Sequence, residues 1–140
     1  MRRIRQVATI KLSLKRAALL SIGAAFITGM GWFAFKAISD QSDEPPDLVR
    51  GKQAYFENCM ACHGVKGDGD GPASVSMQIK PDNIYQELTN PFGLKAELID
   101  SVLSGDNGQD GTMPAFSAVL DAREINDIFG YIVSINQSAQ

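Results

Sequence analysis

Cys59-Met60-Ala61-Cys62-His63 is the stretch from which the rest of the chain is read. Two thiols stand three residues apart, and the only histidine of the chain follows at once. One turn of helix brings both thiols to one edge and swings the next side chain beneath them. C-x-x-C-H in this form is a c-type haem attachment site: each thiol adds to a porphyrin vinyl group, and the imidazole binds the iron from one face. A thioredoxin-like redox pair would open a helix in a βαβ unit, and no strand-period segment here is convincing. A zinc site needs four ligands, and the chain has no second Cys or His cluster. The motif uses both cysteines, so no disulfide framework exists and the core must come from packing and from the haem.

Working outward, charge divides the 140 residues into two unlike parts. Residues 1–39 carry seven Lys/Arg and no acid, whereas residues 40–140 carry six bases against all sixteen acids, a net −10. The basic part is too short and too apolar for a nucleic-acid arm. Ala17 to Phe35 is nineteen residues without a charge. As a helix it spans about 28 Å, close to the hydrocarbon thickness of a bilayer. Six positive charges precede it and an acidic stretch comes after it, so the positive-inside rule keeps residues 1–16 in the cytoplasm and exports the carboxy-terminal part. Trp32 and Phe33 lie where aromatic rings favour the interface. The run is longer than the apolar core of a signal peptide, and the Ala37-Ile38-Ser39 cleavage site has Lys36 beside it. An uncleaved signal anchor over 17–38 is therefore expected in preference to a cleaved leader. Ala25 and Gly29 offer a weak small-residue packing pair within it.

Residues 39–46 are acidic, end in Pro45-Pro46 and read as a short extended tether. A domain over 47–140 comes next. Asp47 is an N-cap candidate for a helix over Leu48 to Asn58, in which Gly51 suits a close helix crossing and Tyr55 lies one turn later. Gly64 to Pro72 is a glycine- and aspartate-rich loop. Its Asp68-x-Asp70 pair lacks the remaining ligand series of a calcium loop. Ala73 to Ile79 is a candidate short helix, and Pro81 to Gly93 reads as mostly irregular. A helical stripe runs over Leu94 to Leu103 and stops at Gly105. The strongest helix of this part runs from Asp121 to Ile135, with Glu124 at the capping-box position.

The porphyrin and His63 leave one axial position on the iron. Met1 and Met30 lie at or before the exported part, and Met60 sits between the tethering cysteines. Met77 and Met113 remain, with water, an exogenous ligand or a less usual protein group as the other options. Met113 precedes Pro114 at the end of a glycine-rich loop; the proline restricts it to extended backbone, which suits a side chain held out towards a metal. Met113 is the favoured ligand. A ligating histidine usually donates its other ring N–H to a carbonyl, and Pro72 is the candidate acceptor; alternatively Pro72 only ends the loop.

With these residues in place, residues 47–136 resemble a class I c-type cytochrome. The resemblance rests on Gly51, Tyr55, Cys59, Cys62, His63 and Gly64, on Gly71-Pro72, on Met113-Pro114-Ala115-Phe116, and on Ile128 and Tyr131. It implies an all-α cytochrome c fold wrapped on one covalent haem c, here preceded by a transmembrane helix. It implies iron between His63 and Met113, the Pro72 carbonyl behind the imidazole, and a crossing of the first and last helices at Gly51 and Tyr55 against Ile128 and Tyr131. The only tryptophan, Trp32, is outside this region, and the basic face of mitochondrial relatives is missing. The function implied is one-electron transfer, not enzymatic turnover, by a cytochrome tethered to the outer face of a bacterial inner membrane. Its partners would be redox proteins with basic docking surfaces, without nucleic acid or a small-molecule substrate. Two alternatives remain: a haem subunit of a larger membrane oxidoreductase or terminal oxidase, and a ligand-binding haem sensor.

Overall fold

Gly51 allows the contact that organises the carboxy-terminal part of the molecule. A Cβ added there would stand 2.0 Å from the Asp127 carbonyl oxygen, so two helices cross backbone against backbone at this point. The computed structural model describes residues 29–38, 44–105 and 113–138. The chain divides into two units, Met1–Ile38 and Ser39–Gln140.

In the first unit residues 29–38 form a helix, α1, with Met30, Phe33, Phe35 and Ile38 exposed. The rings of Trp32 and Phe35 lie 6.2 Å apart. Most of the segment expected to be a membrane anchor falls outside the described residues. Among the described residues, no helix is long and apolar enough to cross a membrane.

The second unit is helical, with no strand among its described residues. In order come α2 (Leu48–Asn58), α3 (Met60–His63), a 3-10 turn η1 (Pro72–Ser76), α4 (Ile84–Thr89), α5 (Lys95–Ser104) and α6 (Ala122–Gln137). The Asp47 side chain caps α2 by accepting from the Val49 and Arg50 amides. Asp121 and Glu124 form the expected capping box of α6. Ala54, Tyr55, Leu120, Ile125, Ile128, Phe129, Tyr131 and Ile132 make the core, drawn mainly from the facing sides of α2 and α6. Tyr55 meets Tyr131 with ring centroids 5.9 Å apart.

A buried carboxylate fastens this crossing. Asp127, almost fully buried, accepts from the Asp47 amide and pairs with the Arg50 guanidinium. Truncating one partner of such a pair would leave an uncompensated buried charge. The end of the expected tether also lies on α6: Glu44 pairs with Arg123, and a Cβ on Gly130 would meet Pro46 at 2.5 Å.

Two elements differ from the sequence reading. Residues 73–76 lie in a 3-10 turn, not an α-helix, because Pro72 opens it and Met77 is already extended. Within the stretch read as mostly irregular, α4 forms because the Asn83 side chain caps the Gln86 amide.

Candidate haem site

The C-x-x-C-H residues are held in a helical turn by their own backbone. Cys59 ends α2, its amide donating to the Tyr55 carbonyl at 2.8 Å. The amides of Cys62 and His63 both donate back to the Cys59 carbonyl, at 3.1 and 2.9 Å. Gly64 then stops the turn at φ 79°, ψ −179°, a backbone region essentially restricted to glycine. The buried Tyr55 hydroxyl donates to the Gly64 carbonyl at 2.6 Å, tying α2 to the residue after the histidine. Burial raises the Tyr55 phenol well above its ordinary pKa, with the nearby Cys59 adding to the effect.

The loop from Gly64 to Gly71 folds back on this turn. Gly71 donates to the Cys62 carbonyl, and Gly69 donates to the His63 carbonyl. A Cβ on Gly69 would stand 2.1 Å from the Pro81 carbonyl oxygen, so the chain at 81–83 passes directly behind the loop. The carbonyl facing His63 Nδ1 is that of Asp82, at 3.3 Å, and Pro72 instead occupies the first position of η1. A carbonyl only accepts, so in the tautomer protonated at Nδ1 the ring donates here and Nε2 keeps its lone pair. Burial holds the imidazole below its usual pKa, and the Asp82 carbonyl partly opposes that shift, so the neutral, ligating form is favoured. The sequence signal for this segment was present in Pro81-Asp82-Asn83, a second proline after the motif followed by a helix cap.

Met113 is half-buried and lies in a stretch without regular secondary structure. Three residues on, Phe116 packs against the core cluster, as Cys59 and Met60 do. The Phe116 and Ser117 amides donate to the Val102 and Leu103 carbonyls at 3.1 and 3.2 Å. These bonds satisfy carbonyls in the last turn of α5, which have no partner within the helix. Met77, the other methionine considered, lies half-buried just after η1, its amide bonded to the Ser74 carbonyl.

Several features fit a haem. Cys59 and Cys62 are both free thiols and both half-buried. Burial pushes the Cys59 thiol up to about 11, with Cys62 adding to the shift. Among the described residues no three His, Cys, Asp or Glu side chains form a group that would hold a metal ion. Leu98, Ile99, Val102 and Leu103 of α5, with Ile84, Tyr85 and Leu88 of α4, pack on the core yet remain partly accessible, and neither helix has a fully buried residue. A flat apolar ring would cover such a wall, whereas a lone metal ion would not.

The family model described as cytochrome c oxidase, cbb3-type, subunit III matches residues 46–132. The chain is 30% identical over 96 residues to the cbb3-type cytochrome c oxidase subunit CcoP of Azospirillum brasilense, covering 69% of this chain and 31% of that protein. It is 28% identical over 89 residues to the corresponding subunit FixP of Bradyrhizobium diazoefficiens, covering 64% of this chain and 28% of that one. It is also 33% identical over 86 residues to cytochrome c6 of Tetradesmus obliquus, covering 61% of this chain and 88% of the algal protein. The match thus spans only about a third of the length of the oxidase subunits. Matched through its helices, its C-x-x-C-H turn and the segment that carries Met113, the chain belongs to the cbb3-type cytochrome c oxidase subunit III family and is a class I c-type cytochrome, with haem c as its covalent cofactor.

Proposed function

We propose that this chain supplies an electron-transfer haem domain to a membrane-bound terminal oxidase of the cbb3 type. The similarity to CcoP and FixP favours this over the free tethered carrier expected first from the sequence. In this reading Cys59 and Cys62 would form the thioethers, and His63 and Met113 would hold the iron. The observation that carries it is that Cys59 and Phe116 pack on one core cluster whose α4 and α5 side stays partly open. The haem supplies a one-electron ferric/ferrous couple. His63, neutral and directed by the Asp82 carbonyl, provides the nitrogen ligand; Met113 provides a thioether, which favours the ferrous state and raises the potential. With both residues holding the iron, no position would be open for a substrate.

The segment over 17–38 anchors the chain in a bacterial inner membrane, with the haem domain on the outer face. At −10 over residues 40–140, the domain docks on basic surfaces of its redox partners. Raising ionic strength then slows electron transfer to the partner, and a rate independent of salt would remove the steering argument.

A second reading, a tethered single-haem carrier, is favoured by the similarity to cytochrome c6, of which the match spans 88%. Purification in mild detergent separates the two. Oxidase subunits in fixed stoichiometry with this chain support the first reading; a haem-staining band that migrates alone supports the second. Carbon monoxide binding to the reduced wild-type protein at neutral pH would overturn both in favour of a ligand-binding sensor.

A further inference from the structure

The end of α5 and residues 113–115 meet at one residue. Gly105 follows the last helical residue, Ser104, with φ 81° and ψ −156°, again a conformation essentially restricted to glycine. A Cβ there would stand 2.9 Å from the Ala115 nitrogen, 3.0 Å from the Met113 carbonyl oxygen and 3.1 Å from the Pro114 carbonyl carbon. All three are backbone atoms, which do not swing aside as the tip of a side chain does. Immediately downstream, the Phe116 and Ser117 amides are bonded to Val102 and Leu103. That end of the segment is pinned, so a displacement caused by a side chain at 105 falls on residues 113–115.

We propose that Gly105 is a positioning residue for Met113: the bare glycine seats the Met113-Pro114-Ala115 backbone against the end of α5, and this seat sets where the thioether stands. The inference rests on the His63/Met113 reading given above. The same two amides that satisfy the end of α5 hold the segment on its seat, so helix termination and ligand placement depend on one set of contacts. Gly93 provides a contrast, since its nearest Cβ neighbours are at 3.6 Å, an ordinary contact distance, and its φ is not positive.

The test uses the full-length haem-loaded protein and four variants, Met113→Ala, Gly105→Ala, Gly93→Ala and Ser117→Pro. The readouts are the methionine-to-ferric-iron absorption band, the midpoint potential, and carbon monoxide binding by the reduced protein. Met113→Ala loses the band and gains carbon monoxide binding. Gly105→Ala keeps covalent haem, loses most of the band, shifts its potential down towards that of Met113→Ala, and also gains carbon monoxide binding. Gly93→Ala matches the parent. Should Met113→Ala leave the spectrum unchanged, the axial reading itself fails. Should Met113→Ala lose the band while Gly105→Ala matches the parent in all three measurements, the seat is overturned and the axial reading stands. If Gly105→Ala does not accumulate, Ser117→Pro tests the same seat from its far side by removing the amide bonded to Leu103. A weakened band supports the proposal, and a parental band overturns it.

Discussion

His63 and Met113 are presented in opposite ways. The turn carrying His63 is closed by bonds to near neighbours: to Cys59 within the motif, and from Tyr55 to Gly64 nine residues on. Among the described residues, the Met113 segment is framed from further away. It is held by the end of another helix, through Val102, Leu103 and Gly105. A ligand framed by its own turn survives much disturbance elsewhere. A ligand seated on another element moves when that element moves. Under the proposed His63/Met113 reading, the first arrangement suits a permanent attachment, and the second lets a change at the end of α5 move Met113.

The largest expected effect is on the His63 side. Replacing both Cys59 and Cys62 by alanine abolishes covalent attachment, and a denaturing gel then shows no haem-staining band. Retention of that band would remove the thioether assignment. Next is the separability of the two sides. Met113→Ala keeps the haem-staining band but lowers the midpoint potential, because a thioether ligand favours the ferrous state. A variant that lost both at once would show that the two sides are not independent.

A smaller effect is expected at the link between α2 and the motif. Tyr55→Phe leaves the buried Gly64 carbonyl without its partner, at a cost of about 1–3 kcal/mol. Denaturant unfolding measures the loss. The methionine absorption band stays as in the parent, since the change lies on the histidine side; its loss would couple the two regions. The smallest effect concerns pH. The Arg50 amide, bonded to the Asp47 carboxylate at the start of α2, holds that carboxyl below its ordinary pKa. The folded state therefore releases this proton more readily than the unfolded state. The stabilisation is fully present above the unfolded value, about 4, and is lost as pH falls through the depressed folded value. Asp47→Asn, which keeps a capping oxygen, shows a shallower loss of melting temperature on acidification than the parent. Parallel curves would deny Asp47 this role.

The legible features in the sequence were those set by short spans of chain. The bounds of α2 match the expectation residue for residue, because Asp47 supplies the cap. The capping box of α6 and the Gly51 crossing were readable for the same reason: a named side chain, or the lack of one, answers a local need. The short α4 was missed although Asn83 and Gln86 carried its capping signal, since six residues are too few for periodicity to stand out. The Pro72 carbonyl is the acceptor that the sequence suggests for His63; the loop's path also brings residues 81–83 behind Gly69, with the Asp82 carbonyl 3.3 Å from the imidazole.

By itself the sequence determined the attachment chemistry, the one available histidine, the helices at either end of the haem domain and the strong contrast of charge along the chain. Those properties depend on residue identity and on hydrogen bonds reaching about one turn. Only the tertiary structure decided which carbonyl faces His63, that the α5 stripe packs on the core yet stays partly open, and that Gly105 lies beneath the Met113 segment. Each of these joins residues that are distant in sequence or separated by a loop, and the loop's path, not its composition, sets which atoms meet.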